Sequence, residues 1–131
     1  MHAQAVRALN EFDLSLERSR ELLAQPTYIL IVAIDDSGEI MGRIYGHVLH
    51  RFEQTDLLLY EVDVADNHQR KGVGKAMVEF VRALCAERGY GEMWVLTEEN
   101  NAAARMLYSK CGGILEDSPT MMYVFYPEAT S

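Results

Sequence analysis

Apolar residues recur along this chain in two rhythms. In residues 73–88, Val73, Met77, Val81, Leu84 and Cys85 fall on one stripe at helical spacing, and Gly89 is placed to end the helix. Residues 2–12 and 15–24 read as two shorter helices. Leu16, Leu22 and Leu23 fit the apolar face of the second, and Pro26 stops it. YILIVAID (28–35) and IMGRIYGHVLHRF (40–52) have strand character, and DDSGE between them supplies turn residues, so the pair reads as a hairpin. LLLYEVDVA (57–65) is the most buried-looking strand, and EMWVLT (92–97) is another. Residues 101–110 form a helix carrying Met106 and Leu107. ILE (114–116) and TMMYVFY (120–126) close the chain as strands. This order predicts a mixed α/β (α+β) fold with a largely antiparallel sheet and one βαβ-like crossover.

The length of 131 residues suits a single domain, residues 1–131, and there is no internal repeat, low-complexity tract or linker. No apolar run approaches the roughly 20 residues of a membrane span. The opening MHAQAVRALNEF lacks the basic-then-apolar order of a signal peptide, so a cytoplasmic protein is expected. Two cysteines make neither a disulfide framework nor a metal site, and Cys85 belongs to the apolar helix stripe. The histidines show no ligand spacing, and His47 and His50 fall on opposite strand faces, so no metal is expected. With 12 Lys plus Arg against 20 Asp plus Glu, nucleic acid is a poor partner. The balance suits a cationic substrate, although solubility alone would account for it.

One short stretch runs against that charge. NHQRKGVGKA (67–76) places Gly72, Gly74 and the cations Arg70, Lys71 and Lys75 between a strand and a helix. The first N–H groups of a helix lack internal partners and the helix dipole favours negative charge there, so such a turn can hold an anion. It is not a Walker loop, because Gln69 and Ala76 stand where a glycine and a hydroxyl belong. It is not a dinucleotide fingerprint, because Met77 stands where a third glycine or alanine belongs. Taken alone, a glycine turn with solvated cations explains it equally well.

A resemblance decides between these readings. Gln69-x-x-Gly72-x-Gly74 after Val62-Asp63-Val64 resembles the acetyl-CoA signature of the GCN5-related N-acetyltransferase (GNAT) family. Asn101-x-x-Ala104-x-x-Leu107-Tyr108-x-Lys110-x-Gly112 resembles the helix after that family's fifth strand, at the right separation. Phe52-Glu53-Gln54, Tyr60-Glu61-Val62-Asp63-Val64 and the ending MMYVFYPEATS are similar to gentamicin-type aminoglycoside 3-N-acetyltransferases. Glu61 stands where that group has an aspartate, and Glu98 where it has another acidic residue. Gly113 stands where many relatives carry an aromatic residue. The family opens with a strand before its first helix. The chain reads as beginning inside that helix, so the first strand is expected to be missing, leaving either an edge for a partner subunit or a smaller sheet. A homodimer is expected.

The resemblance implies a sheet with splayed central strands flanked by helices, and direct acetyl transfer from acetyl-CoA to a primary amine. It implies that Arg70, Lys71, Gly72, Val73, Gly74 and Lys75 hold the pyrophosphate, with Gln69 either contacting the cofactor or shaping the loop. The backbone of Val62, Asp63 and Val64, with Asn101, Ala104 and Tyr108, would follow the pantetheine arm. A backbone N–H near Val62 could polarise the thioester carbonyl. Glu61 is the candidate base, or only a substrate anchor. Tyr108 is the candidate acid for the departing thiolate, or a half-buried aromatic. Asn101 could equally cap its helix, and Lys110 reads as a solvated cation. Glu53, Glu61, Asp63 and Glu98 would face a cationic acceptor, with Glu99 an ordinary loop charge. The acceptor would be an aminoglycoside, another small amine or polyamine, or a peptide. A non-catalytic CoA-binding sensor is the reading of a different class.

Overall fold

The computed structural model describes residues 16–116 and 121–127. The elements are α1 (Leu16–Leu23), β1 (Tyr28–Ile34), β2 (Ile40–His50), β3 (Thr55–Val64), a 3-10 turn (Asp66–His68), α2 (Val73–Glu87), β4 (Met93–Val95) and α3 (Ala102–Lys110). The four strands form one sheet in the order β1-β2-β3-β4. The pairings β1–β2 and β2–β3 are antiparallel, and β3–β4 is parallel across the α2 crossover. This is the mixed, mostly antiparallel sheet that the hydrophobic pattern predicts.

Local chemistry explains the hairpins. Asp35 Oδ1 accepts from Ser37 N at 2.8 Å, Ser37 Oγ at 2.6 Å and Glu39 N at 2.9 Å, and Gly38 takes φ 87. Between β2 and β3 the register shifts: Tyr45 faces Glu61, while Gly46 faces Leu59. Tyr60 is therefore the extra residue of a bulge. Gly46 makes room for it, since a methyl group there would collide with the Leu58 carbonyl oxygen.

The core lies between the sheet and α2. Ile44, Leu57 and Leu59 meet Met77, Val78, Val81 and Cys85, and Cys111 closes one end. Each such buried side chain contributes roughly 1.5–3 kcal/mol. Val78 joins the expected stripe, whereas Leu84 is only half-buried.

Several expectations are corrected. The fourth strand is Met93–Val95 rather than 92–97, because its pairing to β3 ends at Leu59. Residues 114–116 and 121–126 form no strand. A strand exists only against a partner, and among the described residues neither segment pairs with the outer edge of β4. Ile114, Leu115 and all six residues 121–126 are instead more than half exposed. The helix expected over 2–12 and residue 120 lie outside the described residues. Among the described residues no strand precedes α1.

Candidate active site

Past the bulge, β3 alternates again. Val62 and Val64 pack toward the core, so Glu61 and Asp63 point to the opposite face. There they meet Tyr45 and Arg43, their cross-strand partners in β2. The Arg43 side chain is 7% exposed, and its Nη2 lies 2.9 Å from Asp63 Oδ2 and 3.9 Å from Glu61 Oε1. Its guanidinium sits 5.2 Å from the centre of the Tyr45 ring. Tyr45 Oη donates to Glu61 Oε2 at 2.8 Å, and the Tyr45 ring stacks on Tyr60 with centroids 5.5 Å apart.

These surroundings separate two like groups. Burial pushes the Asp63 carboxyl up to about 6, helped by the hydrogen bond to Glu61 and by its charge, with Arg43 opposing. Glu61 is held below the usual range by its hydrogen bond from Asp63, then by Tyr45 and Arg43. Below about pH 6 one proton is thus held between the two carboxylates, on the Asp63 side. Arg43 and Tyr45 are residues of this candidate site that the sequence reading does not include. Their signal, alternation on the strand opposite Glu61 and Asp63, is readable only once the β2–β3 register is known.

The loop after β3 is fixed by its own side chains. Gln69 Nε2 donates to the Val64 carbonyl at 3.2 Å and to Asp66 Oδ1 at 3.3 Å, so Gln69 shapes the loop. Arg70 takes φ 63, a left-handed conformation uncommon for a side-chain-bearing residue, and Gly72 takes φ 82 as N-cap of α2. No side chain caps α2 and its first turn holds no acidic residue. The leading N–H groups at Val73, Gly74 and Lys75 are thereby left to a ligand or to water. Lys71 is exposed, and Lys75 Nζ lies 3.8 Å from Glu79. Gly74 answers a different need: a Cβ there would face Leu107 at 3.4 Å and Val64 at 3.6 Å, where α2 crosses α3.

On the other side, β4 pairs with β3 only at Leu57, Leu58 and Leu59. Residues 60–64 therefore have an open edge toward α3, which is the expected splay. Asn101 Oδ1 accepts from Ala104 N at 3.0 Å, so Asn101 caps α3 and the Ala104 N–H is engaged. Tyr108 is half-buried, and its hydroxyl is kept protonated by burial and then by the charge of Asp63. Glu98 and Glu99 follow β4 and, with Asn100 and Arg105, line an open hollow of about 480 Å³. Arg105 Nη1 donates to the Glu99 carbonyl at 3.1 Å.

Glu53 is not brought to this group. It lies before Thr55, at the far end of β3, and the six residue-to-residue steps from Thr55 to Glu61 span roughly 20 Å. A hollow of about 500 Å³, lined by Ile31, Ala33, Met41, Gly72, Val73 and Met77 among others, opens on the β1 side of α2. The fold also gathers Asp35, Glu39 and His68, with potential ligand atoms within 4.8 Å of one another. Sequence spacing hid this group because its members come from a hairpin turn and a distant loop.

The sequence model of the acetyltransferase (GNAT) family matches residues 4–113. Among curated proteins, the streptothricin acetyltransferase of Streptomyces lavendulae is 27% identical over 81 residues, 62% of this chain and 42% of that protein. The ribosomal protein bS18-alanine N-acetyltransferase of Escherichia coli (strain K12) is 27% identical over 71 residues, 54% of this chain and 48% of that protein. The chain thus spans less than half the length of these curated relatives. A crystal structure of an aminoglycoside acetyltransferase from an uncultured soil metagenomic sample, in complex with sisomicin, superposes with a TM-score of 0.79 at 22% identity, covering 95% of this chain and 87% of the other. A second soil-metagenome aminoglycoside acetyltransferase superposes at 0.74 with 27% identity, covering 95% and 88%. Among the described residues no helix is long and apolar enough to cross a membrane.

Proposed function

The chain belongs to the acetyltransferase (GNAT) family, and from that premise we propose that it transfers the acetyl group of acetyl-CoA to a primary amine of an aminoglycoside, at the 3-N position. The observation that carries this reading is the carboxylate pair, Asp63 and Glu61, on a strand whose outer edge is open and faces Tyr108. An acceptor amine is an ammonium at neutral pH and must lose a proton before it can attack. Asp63, with its carboxyl near 6, is suited to take that proton near neutrality. Glu61 keeps its charge and anchors a neighbouring ammonium. In the transfer a C–N bond forms at the acetyl carbonyl and the C–S bond breaks. The Tyr108 hydroxyl gives its proton to the departing sulfur and regains one from the second proton that the nitrogen sheds as the amide forms, and Asp63 releases its own proton to solvent.

The remaining residues hold the donor. The uncapped start of α2, from Gly72 to Lys75, offers N–H groups to a pyrophosphate, with Arg70 and Lys71 beside it. The open backbone of residues 62–64 suits the amides of a pantetheine arm, and a backbone N–H near Val62 suits the thioester oxygen. Asn101 and Ala104 would border that arm through atoms outside their own capping bond. Glu98, at the exit of β4, joins Glu61 and Asp63 as the acceptor's anionic surround, and Glu53 does not.

Support for the aminoglycoside comes from the superposition at 27% identity and from the acidic surround. Equal identity to a ribosomal-protein-alanine acetyltransferase favours a second reading, a peptide α-amine as acceptor. The proposed setting is the cytoplasm, where acetyl-CoA is made, and the proposed assembly is a homodimer. Thiol release from acetyl-CoA tests the reading, with gentamicin, kanamycin, spermidine and a basic peptide as acceptors and Tyr108→Phe as control. Release with gentamicin supports it and makes antibiotic resistance the role. Release with only the polyamine or peptide keeps the enzyme and discards the aminoglycoside. Tight acetyl-CoA binding without release from any acceptor favours a sensor.

A further inference from the structure

In a regular strand successive side chains point to opposite faces, so an aromatic ring and a carboxylate at adjacent positions are kept apart by the sheet. The bulge in β3 removes that separation. Tyr45 faces Glu61 while Gly46 faces Leu59, which leaves Tyr60 as the extra residue. The Tyr45 side chain meets both Tyr60 and Glu61. Its ring stacks on Tyr60 with centroids 5.5 Å apart and an interplanar angle of 29°, and its hydroxyl donates to Glu61 Oε2 at 2.8 Å. Tyr60 and Glu61 therefore lie on one face of the sheet, the face turned away from α2 and its core. Tyr60 is 68% exposed even though Tyr45 rests against it.

The rings continue beyond Tyr45. Tyr28 lies 6.0 Å from Tyr45, and His47 lies 5.3 Å from Tyr28, centroid to centroid. An aromatic strip thus crosses the sheet from β3 through β2 to β1, with the carboxylate pair beside it on β3. Cross-strand aromatic pairs stabilise a sheet by themselves, and that accounts for the half-buried Tyr28 and Tyr45. It does not account for Tyr60, whose ring stays largely in water. A single exposed aromatic is ordinary on a protein surface. What sets Tyr60 apart is its place, next to the two carboxylates and brought to their face by the bulge.

We propose that Tyr60 is a specificity-determining residue for the acceptor, its exposed ring taking the apolar face of a saturated, amino-bearing six-membered ring whose ammonium reaches Glu61 and Asp63. The inference rests on the acetyltransferase reading above and deepens it by naming what the acceptor must carry. The two surfaces are complementary at both ends. The face of an aromatic ring is negative, and C–H groups beside an ammonium carry partial positive charge, so they settle on it. The carboxylate pair answers the ammonium itself. The reach also fits. The Tyr45 phenol, a six-membered ring with one polar substituent, stacks on Tyr60 while its hydroxyl meets Glu61, and an amino-bearing ring lying beside it has the same span. A linear polyamine or an extended peptide N-terminus brings an ammonium to the carboxylates but no such ring to Tyr60. The aromatic face thereby separates acceptors that charge alone does not.

Gentamicin and spermidine are titrated calorimetrically, in the presence of CoA, into the full-length native protein, Tyr60→Leu and Tyr60→Phe. The Kd for gentamicin should rise roughly five- to tenfold in Tyr60→Leu and stay within about twofold in Tyr60→Phe, which keeps the ring. The Kd for spermidine should not move in either variant. In steady state, KM for gentamicin should rise in Tyr60→Leu by the same factor while kcat holds, since Glu61 and Asp63 are untouched. Gentamicin binding unchanged in Tyr60→Leu would overturn the inference and leave the acetyltransferase standing. An equal loss for both ligands would also overturn it, because the ring would then serve any ammonium. A fall in kcat at constant KM would overturn it as well, assigning Tyr60 to the aiming of Glu61. If gentamicin does not bind the native protein, the inference falls with the aminoglycoside. Thiol release with the other acceptors, read separately, then reports whether the acetyltransferase reading survives.

Discussion

Replacing Glu61 by glutamine keeps the shape of the carboxylate pair and removes one charge. Asp63 sits at about 6 against an ordinary 3.8, an upward displacement of about two pH units. Burial is the largest cause, and Glu61 adds a hydrogen bond and a negative charge, while Arg43 opposes from 2.9 Å. In Glu61→Gln, burial and Arg43 remain in opposition and the like charge is gone, so the Asp63 carboxyl should fall by at least about one unit. The proposed base works ionised, so kcat/KM should rise as pH rises through about 6 in the native protein. At one unit below its midpoint roughly a tenth of the base is ionised, so the variant should retain several-fold more of its own plateau at that pH. The assay is kcat/KM for gentamicin against pH with acetyl-CoA saturating. The acceptor's amines titrate at higher pH and do so equally for both proteins, so the difference between the acid limbs isolates Asp63. Replacing Arg43 by methionine removes the opposing charge and should move the limb the other way, above 6. An acid limb that stays in place in Glu61→Gln would refute the coupling, and Asp63→Asn with an intact limb would remove Asp63 as the base.

Tyr108→Phe should lower kcat by roughly 100-fold, the lower end for loss of a general acid, with little change in KM for acetyl-CoA; undiminished turnover would end that assignment. Gly72→Ala forces a side chain into φ 82 and should cost about 1–2 kcal/mol in urea unfolding. Gly74→Ala should be near neutral or stabilising by up to about 1 kcal/mol, since its methyl would make ordinary contact with Leu107 and Val64 inside a helix. Gly46→Ala should destabilise by about 1–3 kcal/mol and reduce turnover as well, because the bulge that aims Glu61 must move away from the Leu58 carbonyl; a stable variant with full activity would show that the bulge is dispensable. Asn101→Ala should cost about 1 kcal/mol through its cap, measured by thermal melting.

What could be read from the chain and what could not differ in physical kind. α2 and the first hairpin were legible because their signals are local: a stripe at helical spacing and an aspartate-glycine turn. The parallel crossover was legible for the same reason, as a strand, a long helix and a strand in succession. The expectation of strands at 114–116 and 120–126 rests on composition alone, and 114–116 and 121–126 form none, because composition does not provide the partner that makes a strand. Glu53 belongs to the family pattern, yet the hairpin that begins β3 sends it to the opposite end of the sheet from Glu61. The bulge left one trace, Gly46 inside an apolar strand, and Arg43 and Tyr45 left none until the register was known.

That register changes the meaning of the net charge. A count of -8 suggested an acidic mouth awaiting a cation. At the carboxylate pair, however, a buried guanidinium already answers one negative charge. Below about pH 6, with the proton on Asp63, the trio of Arg43, Glu61 and Asp63 sums to zero. Above it the trio carries a single negative charge, the one that both attracts an ammonium and accepts its proton. The site therefore gains its affinity for a cationic acceptor and its capacity to deprotonate it in the same ionisation. A KM for the acceptor that falls as kcat rises through that pH would be the mark of this link, whereas kcat rising at constant KM would assign acceptor binding to Glu98 and the outer surface alone.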